Sequence, residues 1–330
     1  MLKEDIGMRT YREQMSQWPR ALAATGPRFH RLKKRLKLMV VSRFPASYAA
    51  ATKPGEQYLQ EGGVSEHDVE KTIDDFGDQW SRYTDNSGYY GSAELFSDII
   101  SPIMSPDEFA GTRVADIGSG TGRIVKMLLQ AGAREVIAVE PSAGAFASLL
   151  ENTKQQSGQI RYLNLPGNDL PDDLDLDYVV SIGVVHHIPE PDSTIAASHK
   201  ALKSGGRCLL WLYGWEGNET YLRFAQPLRR LTTKLPHALL AGLSHVLNLC
   251  LDLYILACRF VRLPLRDYIL KVIGQMARDK RYLIIYDQLN PDYAKYYREA
   301  EAIDLLARAG FRDIKTHRRH GYSWLVIGTK

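Results

Sequence analysis

From Thr112 onward, short apolar runs alternate with stretches of helical periodicity. The runs RVADIG (113–118), EVIAVE (135–140), QIRYLN (159–164), DYVVSIG (177–183) and RCLLWLYG (207–214) have the length and β-branched content of buried strands. Between them, 121–131, 142–154 and 192–203 read as crossover helices. Near-continuous apolar strands joined by helices predict an α/β chain with a Rossmann-like, doubly wound parallel sheet. Residues 215–297 break the alternation with a long Leu-rich helical stretch. It resumes with a helix at 298–310 and two closing strands, FRDIKTHRR (311–319) and YSWLVIGTK (322–330), around a HGYS turn. The expectation is therefore a seven-stranded sheet with a helical insertion after strand five and an N-terminal helical extension.

Five zones follow along the chain. Residues 1–60 form a basic, helix-like extension, and 61–111 an aromatic lid with the first helix. Residues 112–214 form the nucleoside-binding core, 215–297 a helical cap, and 298–330 the last helix and closing strands. Phe76, Trp80, Tyr83, Tyr89 and Tyr90 give the lid its character; packing beneath a loop would use the same residues.

Composition adds little until charge is mapped. With 45% hydrophobic and 24% charged residues the chain reads as globular, and its net charge of +4 is too small for a general polyanion binder. Residues 1–53 concentrate twelve Lys/Arg against three Asp/Glu. The three cysteines contain no CxxC pair, which fits a reducing compartment. The first residues lack the apolar core of a signal peptide, so the expectation is a cytoplasmic protein.

The sharpest chemical signal is VADIGSGTGRIVKML (114–128), a strand running through Asp116 into Gly118, Ser119, Gly120 and Gly122, then a helix. Glycines there let the backbone approach a ligand at a helix N-terminus. The dinucleotide fingerprint needs a third glycine where this chain has Arg123. Glu140 ends the second strand and Asp169 follows the third. Carboxylates at three converging strand ends repel a pyrophosphate but suit an ammonium, a sulfonium and ribose hydroxyls. S-adenosylmethionine (SAM) offers all of these and no phosphate. No metal site is assigned.

In order, VADIGSGTGRI, VIAVEPS, GNDLP, DYVVSIGVVHHIPEP and LKSGGRCLLWLYG resemble the successive motifs of class I SAM-dependent methyltransferases, in the group acting on small molecules. The resemblance covers 112–214 and 298–330. It implies that Gly118, Gly120 and Gly122, with Ser119, line the methionine moiety and that Asp116 holds its amino group. Glu140 would bind the ribose, Asn168 and Asp169 would sit at the adenine, and Ser181 and Gly183 would form the floor. Pro166 stands where the family often has a polar residue.

Methyl transfer needs alignment and, for a protonated acceptor, a base. His186 and His187 follow strand four, and His320 lies in the last turn with His317, Arg318, Arg319, Tyr322 and Trp324 nearby. Asp287, Asn290 and Tyr297 precede the last helix, whose N-terminus is expected at the same face. The apolar stretch 238–258 carries His245, Asn248 and Asp252 as a polar stripe, flanked by Arg229, Arg230, Lys234, Arg259, Arg262 and Arg266. Asp252 alone would cost about 3 kcal/mol at a bilayer centre, so a cap helix or homodimer contact is expected rather than a membrane span. The segment 27–43 reads as a basic amphipathic helix suited to peripheral contact with anionic membrane at its inner face, or to nucleic acid. Neither the [DNS]PP[YFW] run of amino-group nucleic-acid methylases nor a Pro-Cys nucleophile occurs. The favoured function is methyl transfer to a sugar- or polyketide-like hydroxyl of a small or lipid-linked metabolite. The alternatives are an RNA methyltransferase using the basic arm, and a non-catalytic SAM-binding protein.

Overall fold

The computed structural model describes residues 66–330, apart from 234, 291 and 292. The basic extension, including 27–43, and Lys234 therefore lie outside the described residues. Helices α1 (Glu66–Arg82) and α2 (Ala93–Ile100) precede the sheet. Then β1 (Arg113–Ile117), α3 (Arg123–Gln130), β2 (Glu135–Val139), α4 (Ala143–Thr153), β3 (Ile160–Leu163), β4 (Leu176–Ile182), α5 (Asp192–Ala201) and β5 (Leu202–Tyr213) follow. Four helices interrupt the core: α6 (Glu219–Thr232), α7 (His237–Phe260), α8 (Arg266–Lys271) and α9 (Arg278–Leu289). The chain closes with α10 (Glu299–Arg308), β6 (Arg312–Arg319) and β7 (Ser323–Thr329).

The strands form one sheet in the order β3-β2-β1-β4-β5-β7-β6. The first five pair in parallel, while β7 runs antiparallel to both β5 and β6. Alternate side chains leave opposite faces, so each central strand feeds two cores. Val114, Val136, Val180 and Leu209 pack with Ile124, Val125 and Leu128 of α3. Ala115, Ile137, Val179 and Leu210 pack with Ile195 of α5 and Leu305 of α10 on the other side. β5 begins at Leu202 rather than 207, with an irregular register where it meets β4. Gly205 and Gly206, poor strand formers, hide that start from the sequence.

This topology gathers the carboxyl ends of β1 to β5, and the β6–β7 turn, along one edge. Above that edge, α1 packs against α4 at unusually close range. A Cβ at Gly77 would lie 2.1 Å from Ser142 Oγ, and one at Gly144 would lie 3.0 Å from the Gly77 carbonyl oxygen.

Of the polar stripe expected on α7, Asn248 and Asp252 turn inward, whereas His245 is exposed and lies against the Tyr282 ring at 4.4 Å between centroids. Asn248 Nδ2 donates to the Arg278 carbonyl at 2.8 Å, and Asp252 pairs with Arg278 at 2.5 Å and Arg281 at 2.8 Å. Ser244 is fully buried and bonds to the Leu240 carbonyl at 2.8 Å. By length and composition α7 is also long and apolar enough to cross a membrane. Its polar stripe is nevertheless held by α9.

Candidate cofactor and acceptor site

The loop after β1 is built by backbone constraints. Gly118 N and Ser119 N both donate to the Val139 carbonyl, at 2.8 and 3.0 Å. Gly118 has φ +75°, and any Cβ there would fall 2.5 Å from the Val184 side chain. Ser119 Oγ donates to the Asp116 carbonyl at 2.9 Å and accepts from Val139 N at 3.1 Å. Glu140 joins the two loops: Oε2 accepts from Gly120 N at 2.8 Å and Oε1 from Ser142 N at 2.9 Å. Its pKa still rises through burial, against those two hydrogen bonds.

Asp116 is 1% exposed and its Oδ2 has no hydrogen-bond partner among the described residues. Burial pushes its pKa up to about 7, with Ser119 and Arg123 opposing the rise and Glu140 adding to it. An orphaned carboxylate under a glycine loop is costly to the free protein and suited to a cationic ligand.

A cavity of about 1000 Å³ begins at this loop. Gly118, Ser119, Gly120, Glu140, Asn168 and Gly183 line one end, beneath Phe76, Trp80 and Tyr90 of the N-terminal segment. The far end is walled by Leu228, Leu247 and Leu251 of α6 and α7 with Ile269, Val272 and Met276. His187, Trp211, Tyr213, Asp287 and Tyr296 lie along its length.

His187 Nδ1 is 2.9 Å from the Tyr293 carbonyl oxygen, while its buried Nε2 has no partner among the described residues. Burial lowers its pKa to about 4, so the ring is neutral at physiological pH. Opposite, Tyr213 accepts from Gln288 Nε2 at 2.6 Å and lies 3.5 Å from Asp287 Oδ2. Gln79 Nε2 of α1 donates to Asp287 Oδ1 at 3.1 Å. Burial raises the pKa of Asp287, with Gln79 and Arg229 opposing.

Several expected residues stand elsewhere. His186 does not line the cavity; it stacks on Tyr213 with ring centroids 3.7 Å apart, and neither nitrogen has a partner among the described residues. His320 is turned to Asp98 at 3.0 Å, which Arg319 also clamps, and is likewise off the cavity. Asp169 is exposed and accepts from Asn168 Nδ2 at 3.1 Å, leaving only Asn168 at the wall. Ser181 ties β4 to the Ile117 carbonyl at 3.1 Å below the loop. Gly122 meets Leu149 and Thr153 of α4 rather than the cavity. Asp116 is likewise not among the residues that line the cavity, although Ile117 is. Of the last-turn and preceding residues, Asp287, Arg319 and Tyr322 reach the cavity, and His317, Arg318 and Asn290 do not. Trp324 and Tyr297 belong to the core. Trp211 and Tyr213 escaped sequence reasoning, although their position near the carboxyl end of β5 was the signal that could have found them.

Comparison with known proteins bears on the central part of the chain. Residues 115–208 match the profile of a methyltransferase domain. Over those residues the chain carries a methyltransferase domain. The chain is similar to a tRNA U34 carboxymethyltransferase of Shewanella sp. (strain ANA-3), 31% identical over 125 residues, 37% of each chain. It is also similar to a ubiquinone biosynthesis O-methyltransferase of Methylococcus capsulatus, 24% identical over 137 residues, 41% of this chain and 57% of that one. Among solved structures, a Burkholderia thailandensis 1,6-didemethyltoxoflavin-N1-methyltransferase with bound S-adenosylhomocysteine superposes with a TM-score of 0.49 at 15% identity, covering 82% of this chain and 93% of that one. The chain spans 37% to 57% of the length of these two curated relatives. In the methyltransferase domain the glycine loop, Glu140 and Gly183 lie at the cavity end formed by β1, β2 and β4.

Proposed function

We propose that the protein transfers a methyl group from SAM to a hydroxyl of an apolar small or lipid-linked metabolite. The observation that carries this reading is the continuity of one cavity from the glycine loop to the apolar wall of α6 to α9. In this reading Gly118, Ser119 and Gly120 cradle the methionine moiety. Glu140 exchanges its two amide partners for ribose hydroxyls, Asn168 meets the adenine, and Gly183 forms the floor. Asp116, Gly122 and Ser181 act from below, the first through its charge and the others by fixing the loop.

The cofactor, when bound, supplies an electrophilic methyl on a positively charged sulfur. His187 is the general base: with Nδ1 donating to a carbonyl, Nε2 keeps a lone pair for the acceptor proton. Tyr213, Gln288 and Asp287 orient the acceptor hydroxyl, and the apolar wall keeps water from competing.

The apolar lining favours this acceptor over RNA, which would need a broad cationic groove. A cavity that extends beyond the cofactor end also argues against a protein that only binds SAM. The test is incubation of the full chain with methyl-labelled SAM and separate acceptors: prenylated phenols, polyketide phenols, sugars and bulk tRNA. The expected result is label in an organic-extractable product. Label confined to tRNA would overturn the acceptor class, and no transfer with intact SAM binding would overturn catalysis.

A further inference from the structure

Helix α7 is inside out for a soluble protein. Its Asn248 and Asp252 bond to Arg278 and Arg281 of α9 and its buried Ser244 bonds back to Leu240, while Leu239, Val246, Leu249, Leu253, Leu256 and Phe260 are 51–81% exposed. These six recur at spacings of three, four and seven, so they form one stripe about 32 Å long. Soluble surfaces rarely carry a continuous apolar stripe of that extent without a partner.

Two further features say what the partner is. Arg223 and Arg230 of α6, with Arg259 and Arg262 at the end of α7, are exposed, and no ion pair engages them among the described residues. An apolar stripe with uncompensated cations at its ends matches the interfacial region of an anionic bilayer. A second copy of the chain would instead bring this same cationic set against itself. The cavity also opens here: Phe224, 76% exposed, and exposed Cys250 both line it, so its mouth lies between α6 and α7.

We propose that the α6–α7 face seats on an anionic lipid surface and that the acceptor enters the cavity directly from the membrane. The docking stands apart from the methyl-transfer reading; the entry route rests on it. The helix lies in the plane of the interface, because α9 holds its polar stripe and leaves only one face for lipid.

Cys250 provides a reporter in the full chain, since Cys208 and Cys258 are buried. Its thiol is labelled with an environment-sensitive fluorophore, and vesicles of phosphatidylcholine with or without about one third phosphatidylglycerol are added. Expected are a blue shift with the anionic vesicles and quenching by spin-labelled lipid. The shift should persist in about 0.5 M salt, where contact through the basic extension is screened. The double variant Leu249→Glu/Leu253→Glu should lose the shift at least fivefold while keeping its SAM affinity, which also reports folding. Vesicle binding without a change at Cys250, or an equal shift in the double variant, would overturn the proposal. A signal already shifted before vesicles are added, with light scattering showing a dimer that the double variant dissolves, would assign the face to a second copy. Loss of methyl transfer with lipid-dependent shift intact would count against the acceptor reading alone.

Discussion

His187 Nδ1 lies 2.9 Å from the carbonyl oxygen of Tyr293, and that single contact fixes which nitrogen of the ring carries the proton. A carbonyl only accepts, so Nδ1 donates, and on this cavity-lining ring Nε2 keeps a lone pair with no competing partner among the described residues. His187→Gln should therefore lower kcat by about 10²- to 10⁴-fold while SAM affinity changes less than about threefold. Single-turnover kinetics beside calorimetry checks this. Because the ring's pKa is about 4, the His187 step should be flat in rate from about pH 5.5 to 8.

Asp116 adds a pH dependence of its own. With a folded pKa of about 7, its carboxyl is half protonated in the free protein at neutrality, whereas a cationic ligand favours the charged form. SAM should bind more tightly as pH rises from about 5.5 to 7.5, with proton release visible as a dependence of binding enthalpy on buffer. Asp116→Asn should bind more weakly and lose the slope. The stability sign is opposite. A carboxyl whose pKa is raised by folding stabilises fully below about pH 4, and that contribution is lost as pH climbs to about 7. Thermal melts without ligand should accordingly show Asp116→Asn gaining on the wild type between those limits.

Glu140 holds Gly120 N and Ser142 N together before any ligand arrives. Its loss should both remove ribose contacts and loosen the loop. Glu140→Ala is expected to weaken SAM at least tenfold by calorimetry, and Glu140→Gln, which retains one acceptor oxygen, less so.

Much of this architecture was legible in the sequence because a sheet buried on both faces must be written in continuous apolar strands. β1, β2 and β4 fall within one or two residues of their expected limits for that reason. The glycine loop was equally readable, since Gly118 faces Val184 at a distance no side chain could share. Contacts between distant segments were not readable. His186 and His187 are neighbours with identical chemistry, and only the turn geometry sends one to Tyr213 and the other to the cavity. His320 is claimed by Asp98, far away in the chain, and Tyr213 meets Asp287 from another element altogether. The inward polar stripe of α7 likewise depends on Arg278 and Arg281, which its own periodicity cannot announce.

The packing of α1 against α4 rests on two glycines, Gly77 and Gly144. Gly77→Ala would place a methyl 2.1 Å from Ser142 Oγ, forcing α1 off α4. The expected cost is about 1–3 kcal/mol, read as a lower Tm, with faster proteolysis within 66–82 and weaker SAM binding. Gly158→Ala, which meets nothing within 4 Å and is not at a positive φ, serves as the control, and should leave α1 undisturbed.

The most direct measurement is a crystal structure of the full chain with S-adenosylhomocysteine. The account predicts the ribose on Glu140, the amino acid portion across Gly118 to Gly120, and the sulfur directed toward the chamber of His187, Tyr213 and Asp287. A ligand whose sulfur points away from that chamber, or one bound outside the glycine loop, would contradict it.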